Sequence, residues 1–160
     1  MTESIVIEEI RDLDRVWPEL SDLFLELHKY HEPWVSRQLR SIWADRWREF
    51  VELRPDRLLL LARSEGSAIA YLNAQVRRDF GIFDEVVGFI DDAFVKEGYR
   101  SMGIGSELLQ ICEEWCRARG ATELRLNVIE GNRLGYEFWT KSGFTPASHL
   151  MSKTLQGKQI

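Results

Sequence analysis

The chain has 160 residues, 44% of them apolar and 29% charged. That makes about one domain able to close a core, which excludes disorder as the main state. The net charge is −5 and its excess falls early, with 13 acids against 8 bases in residues 1–56 and 13 of each in residues 57–160. A nucleic-acid partner is therefore not expected, since such a partner calls for a basic face. No apolar run approaches the roughly 18 residues of a membrane helix. The start of the chain has neither a basic n-region nor an apolar h-region, so no signal peptide and no membrane partner are expected. Cys112 and Cys116, four apart in a helical pattern, read as buried thiols of a protein in the reducing cytoplasm.

In chain order, residues 4–10 alternate enough for a first strand. Leu13, Val16, Leu20, Leu23, Phe24 and Leu27 recur at spacings of three and four, an amphipathic helix whose first turns Pro18 marks. Pro33 breaks the pattern at residues 30–34. A second helix places Leu39, Ile42, Trp43, Trp47, Phe50 and Val51 on one stripe, with Trp43 and Trp47 expected in the core. Residues 57–63 and 67–76 are two strands joined by Ser64-Glu65-Gly66. A turn over residues 79–84 leads to a fourth strand, 86–95. The next helix carries Ile104, Leu108, Ile111, Cys112 and Trp115 and is capped by Gly120. A fifth strand at 123–128, a short helix at 133–141 and a last strand at 149–155 follow, and residues 156–160 fray. The order βααβββαβαβ predicts one mixed α/β domain spanning residues 1–160.

Between the fourth strand and the third helix lies Lys96-Glu97-Gly98-Tyr99-Arg100-Ser101-Met102-Gly103-Ile104-Gly105-Ser106. Glycines let a ligand approach the backbone, and the first N–H groups of a helix have no internal partners, so anions bind there. The spacing fits neither a P-loop nor Gly-x-Gly-x-x-Gly. On the residues alone, an anion site and an ordinary glycine turn are both open.

Arg100-x-x-Gly103-x-Gly105 after a strand ending in Val95 resembles the acyl-CoA signature of the GNAT superfamily, the acetyl-CoA-dependent N-acetyltransferases. Leu126-x-Val128, Asn132, Phe138-Trp139 and Gly143-Phe144 resemble the family's second signature segment. Phe89 to Val95, with Gly103 to Glu107 beyond, looks closest to the diamine and polyamine branch. The resemblance implies a central, mostly antiparallel mixed sheet flanked by helices, with the fourth and fifth strands splayed apart. It implies acetyl-CoA as acyl donor, with no metal. The backbone of Arg100, Ser101, Met102, Gly103, Ile104, Gly105 and Ser106 would cradle the CoA pyrophosphate, with Arg100 adding charge. Phe94 and Val95 would pair with the pantetheine arm, Asn132 would hydrogen-bond the cofactor, and Trp139 would lie beside it. Homodimers are common in the family.

Acetylating an amine requires a base to neutralise an ammonium. Asp91-Asp92, inside an otherwise apolar strand, are the candidates. Strict alternation turns only one of them toward the cleft unless a bulge intervenes. Asp91, which shares parity with Val95, is expected as the base, with Asp92 second. Trp139 stands where many family members have a tyrosine that protonates the leaving thiolate. An indole cannot serve as that acid, so either the thiolate leaves unassisted or Tyr136, one turn earlier, substitutes. The acceptor pocket is expected from Tyr30, Glu32, Trp34 and Glu85, with Asp79 and Asp84 adding negative charge. His28, His31 and Glu32 lack a further committed ligand, so no metal site is expected. The expected activity is direct transfer from acetyl-CoA to a primary amine of a small molecule. A non-catalytic acyl-CoA sensor and a protein or peptide acetyltransferase are the alternatives.

Overall fold

The computed structural model describes residues 4–35, 38–79 and 82–155. Five strands form one sheet in the order β1-β2-β3-β4-β5: β1 (Ile5–Glu9), β2 (Arg57–Ser64), β3 (Ser67–Asp79), β4 (Glu85–Val95) and β5 (Glu123–Leu126). β1 to β4 pair antiparallel, and β5 joins β4 in parallel after a helical crossover. The mixed sheet flanked by helices is the expected architecture.

β2 is an interior strand, between β1 and β3, and is buried on both faces, which its unbroken leucine run dictates. Leu58 and Leu60 enter one core and Leu59 and Leu61 the other. The first core lies under α3 (Ile104–Ala118), with Leu108, Cys112 and Trp115 on its apolar stripe, and Trp139 and Phe144 packed against it. The second lies under α1 (Leu13–His31), whose Val16, Leu20, Leu23 and Leu27 are buried, and α2 (Trp43–Phe50), which contributes Trp47. Burying each such side chain contributes about 1.5–3 kcal/mol. Asp12 caps α1 by accepting a hydrogen bond from Asp14 N at 3.1 Å, and Pro18 sits inside the helix. Phe24 stacks on both Trp43 and Trp47, filling the seam between α1 and α2 with rings.

Three expectations change. α2 starts at Trp43, four residues later than its apolar stripe suggests. β5 ends at Leu126 instead of Val128. Residues 149–155 form no strand: Leu150, Met151 and Leu155 are exposed, and the segment pairs with none of the five strands. Residues 80 and 81 of the expected turn and the tail 156–160 lie outside the described residues. No helix among the described residues is long and apolar enough to cross a membrane.

Candidate active site

β4 is the element around which the site is built. Its pairing with β5 runs only from Val87–Glu123 to Ile90–Leu126. From Asp91 to Val95 that edge of β4 has no strand beside it among the described residues. Where β5 has ended, an edge of β4 is left without a strand partner, the kind of edge an extended ligand can pair with.

The ladder between β3 and β4 breaks at the same place. Ala74 faces Ile90 and Asn73 faces Asp92, so Asp91 is an extra, bulged residue. The bulge overturns the alternation argument. Asp91 reaches Arg57, Gln75 and Arg77, while Asp92 faces Trp47 and Asn73, so both carboxylates lie on the α1/α2 side of the sheet.

Their surroundings differ. Asp91 is held on all sides: Gln75 Nε2 donates to its two oxygens at 2.8 and 3.1 Å, Arg57 Nη1 donates at 3.3 Å, and Arg77 Nη2 lies at 3.5 Å. Burial raises its carboxyl above the ordinary range, against the pull of Gln75 and the two arginines. Among the described residues no cation is bonded to Asp92, and burial, reinforced by the charge of Asp91, pushes it up to about 6. Trp47 Nε1 and Asn73 Nδ2, both buried and without a hydrogen bond of normal length, are near enough to favour its charged form. The Tyr71 hydroxyl and Arg57 Nε are likewise buried without a partner. Four orphan donors therefore surround one pair of acids.

The glycine loop has the geometry of an anion cradle. Ser101 and Gly103 both adopt positive φ, +64° and +81°. None of the backbone N–H groups from Ser101 to Ser106 donates to a backbone carbonyl, whereas Glu107 N already bonds Gly103 O at 3.0 Å. A Cβ added at Gly103 would meet no protein atom within 4 Å. Gly105 has a different job: a Cβ there would come within 3.0 Å of the Phe138 ring, so it lets α3 approach α4 (Arg133–Lys141). Ile104 is core, 2% exposed, and offers only its N–H. Met102 and Ser106 are exposed, and Ser106 opens onto a groove between α3 and α4.

Arg100 turns inward instead of toward the loop amides. Its Nε donates to Val95 O at 3.0 Å, and its guanidinium lies 5.0 Å from the Tyr30 ring and 5.7 Å from that of Phe94. Tyr30 in turn donates to Asn132 Oδ1 at 2.8 Å, and that oxygen also caps α4 through Gly135 N at 3.1 Å. The Trp34 indole covers Gly131, where a Cβ would strike it, and its edge meets the Tyr30 ring. Tyr30, Trp34, Phe94, Arg100 and Asn132 thus converge at the mouth of the β4–β5 opening.

Four other expected residues stand differently. Glu85 accepts two hydrogen bonds from Arg125 at 3.1 Å, six residues down β4 from the bulge, and does not join the cluster. Glu32 is exposed and lines a separate open groove with His28, Lys29 and Leu39. Trp139 is half-buried with its ring against Phe138 and Phe144, a packing position more than a cleft wall. Tyr136 is 49% exposed on the outer part of α4. Sequence reasoning missed Arg57, Asn73, Gln75 and Trp47 as partners of the aspartates. Asn73 and Gln75 share one parity within an apolar strand, a signal that polar neighbours were needed there.

Residues 14–144 match the family model of the acetyltransferase (GNAT) family. The chain belongs to that family. An aminoglycoside N(6')-acetyltransferase type 1 of Acinetobacter genomosp. 13 is 32% identical over 90 residues, 54% of this chain and 62% of that protein. The match therefore spans less than two thirds of that relative. Among solved structures, the aminoglycoside N-acetyltransferase AAC(6')-Iy in complex with CoA superposes with a TM-score of 0.78 at 16% identity, over 98% of each chain. Glucosamine-6-phosphate N-acetyltransferase from Arabidopsis thaliana gives 0.66 at 20% identity, over 96% of this chain and all of that one. These likenesses establish the fold. None of the three is a polyamine enzyme, so the likeness to that branch rests on residues 89–107 alone.

Proposed function

We propose that this chain, acting as one domain over residues 1–160, moves the acetyl group of acetyl-CoA directly to a primary amine of a small molecule in a ternary complex, with Asp92 as general base. The observation that carries this reading is the bulge, which sets a buried, unclamped carboxylate beside the open edge of β4. The residues fit the donor: the unpaired N–H groups of Ser101 to Ser106 and the open space at Gly103 suit a pyrophosphate, and the stretch of β4 beyond Ile90, where β5 has ended and Arg100 holds Val95 O, suits an extended arm. Acetyl-CoA supplies the acyl thioester.

Asp92 accepts one proton from the acceptor ammonium, and the neutral amine keeps its lone pair for attack. A base whose pKa lies close to the working pH does this best, and about 6 meets that requirement better than an ordinary carboxylate. Asp91, already occupied by Gln75, Arg57 and Arg77, holds negative charge nearby. Tyr30 and Trp34 close over the Gly131 turn, which favours a compact acceptor over a protein segment. A reducing cytoplasm suits the two free, buried cysteines, and a homodimer is part of the proposal, to be tested by sedimentation.

Thiol release from acetyl-CoA, measured across a panel of aminoglycosides, polyamines and amino acids, tests the activity. Turnover with at least one amine is expected, together with a loss of about 10²–10⁴ in Asp92→Asn. The indole of Trp139 supports a second reading, an acyl-CoA sensor. Tight acetyl-CoA binding with no turnover on any amine would select it.

A further inference from the structure

We propose that Arg57 is a positioning residue of the transfer reaction: paired with Asp91 inside the fold, it favours the ionised form of that carboxylate, so that Asp92 is left as the member of the pair that takes the proton. The inference rests on the reading of Asp92 as base and adds to it how one of two adjacent carboxylates is chosen.

Two carboxylates forced onto one face by a bulge tend to share a single proton, and which of them holds it is then undefined. Arg57 removes that ambiguity. It opens β2 on the parity that faces α2, its side chain is 4% exposed, and its Nη1 donates to Asp91 Oδ2 at 3.3 Å and to Asn73 Oδ1 at 3.4 Å. The Phe50 ring lies 4.5 Å from the guanidinium and covers it on the α2 side. Gln75 holds the same carboxylate from β3.

Among the described residues, the charged or titratable groups facing Asp92 are few. β2 presents Arg57, β3 presents Tyr71 and the neutral Asn73, β4 presents Asp91, and α2 presents the indole of Trp47. The other charges of α2 turn outward, Arg46 pairing with Glu49 and Arg48 with Asp14. α1 offers apolar Leu20, Leu23 and Leu27 to this core, and its Glu26 pairs at 3.4 Å with Lys96, beyond the end of β4. Of the two cations on Asp91, Arg57 is the buried one and Arg77 the half-exposed one, and neither is bonded to Asp92. When the acceptor ammonium arrives, its proton passes to Asp92, and Asp91 begins and ends the step ionised.

The test is a carboxyl-carbon NMR titration of the protein labelled at aspartate, without substrate. Asp91→Asn and Asp92→Asn assign the two signals. In the parent, the two carboxyls are expected to titrate with separate midpoints, Asp91 below Asp92. In Arg57→Met the two carboxyls are expected to titrate together, the Asp92 midpoint moving up by about one pH unit or more. Arg57→Lys, which keeps the cation, should restore the separation. Separate, unmoved midpoints in a folded Arg57→Met would overturn the proposal. Should that variant fail to fold because Asp91 is left buried and unpaired, Arg57→Met/Asp91→Asn removes both charges. Its Asp92 midpoint is then expected at or below the parent's, and a higher one overturns the proposal. The base reading fails separately, if Asp92→Asn keeps the parent rate in the amine panel while the titrations behave as described.

Discussion

A base held in a dry site against its own preference weakens the fold that holds it, and here the effect can be worked out. Asp92 titrates near 3.8 in the unfolded chain and at about 6 in the fold, chiefly because of burial. The folded state therefore binds the proton more tightly than the unfolded one. The penalty on stability is absent below about pH 4, grows as pH rises through the interval to about pH 6, and is constant above it. Two pKa units correspond to about 3 kcal/mol. Asp92→Asn keeps the shape and an acceptor oxygen for Trp47 while removing the charge, so above pH 7 it should stabilise the protein by up to that amount. For a chain of this size this raises Tm by about 6–12 °C. Thermal melts of parent and variant at pH 4 and pH 8 make the comparison: the gap should be near zero at the lower pH and open at the higher. An equal gap at both, or a variant less stable at pH 8, would refute the burial argument. The same substitution abolishes most of the expected activity, so stability and turnover should move in opposite directions.

Three further outcomes are expected. Gly103→Val adds a side chain where only a ligand could meet it and places a β-branched residue at φ +81°, so calorimetry should show CoA binding weakened by more than about tenfold, whereas Gly105→Val, which strikes Phe138, should lower Tm instead. Tyr30→Phe removes the 2.8 Å hydrogen bond to Asn132, and denaturant unfolding should register a loss of about 1 kcal/mol. Trp139→Phe should leave the rate nearly unchanged and the pH–rate profile level to about pH 9.5, since the ring serves as packing. A rise of about tenfold or more in Trp139→Tyr would show that proton delivery limits the parent.

Much of this was readable from residue order. The helical stripes of α1 and α3, the leucine run of β2 and the hairpin at Glu65-Gly66 each obey a local rule, and the structure follows them. The turn at Gly103 into α3 was legible because a glycine just before an amphipathic stripe is a local signal. What escaped depends on long-range pairing. Asp91 leads by parity, yet a bulge is a property of two strands together, and nothing within residues 85–95 marks it. Arg57 meets Asp91 across 34 residues and Tyr30 meets Asn132 across 102. Glu85 looked available for a cation because its partner Arg125 lies 40 residues on. Residues 149–155 have strand composition, but in this fold they pair with no strand.

The bulge also says something about how such a strand can be altered. Ile90 opposite Ala74 and Asp92 opposite Asn73 would be consecutive rungs of a regular ladder if Asp91 were absent. The register on either side is already that of an uninterrupted hairpin, so Asp91 amounts to a one-residue insertion into an ordinary antiparallel pair. No exchange of one side chain for another creates or erases such a feature; only a change in chain length does. Deleting Asp91 would straighten the strand and leave Asp92 and Phe94 on their present face, which makes a three-nucleotide deletion the smallest genetic step back to a plain sheet. Substitutions across residues 85–95 leave the extra residue in the strand, so a deletion is the direct way to remove it.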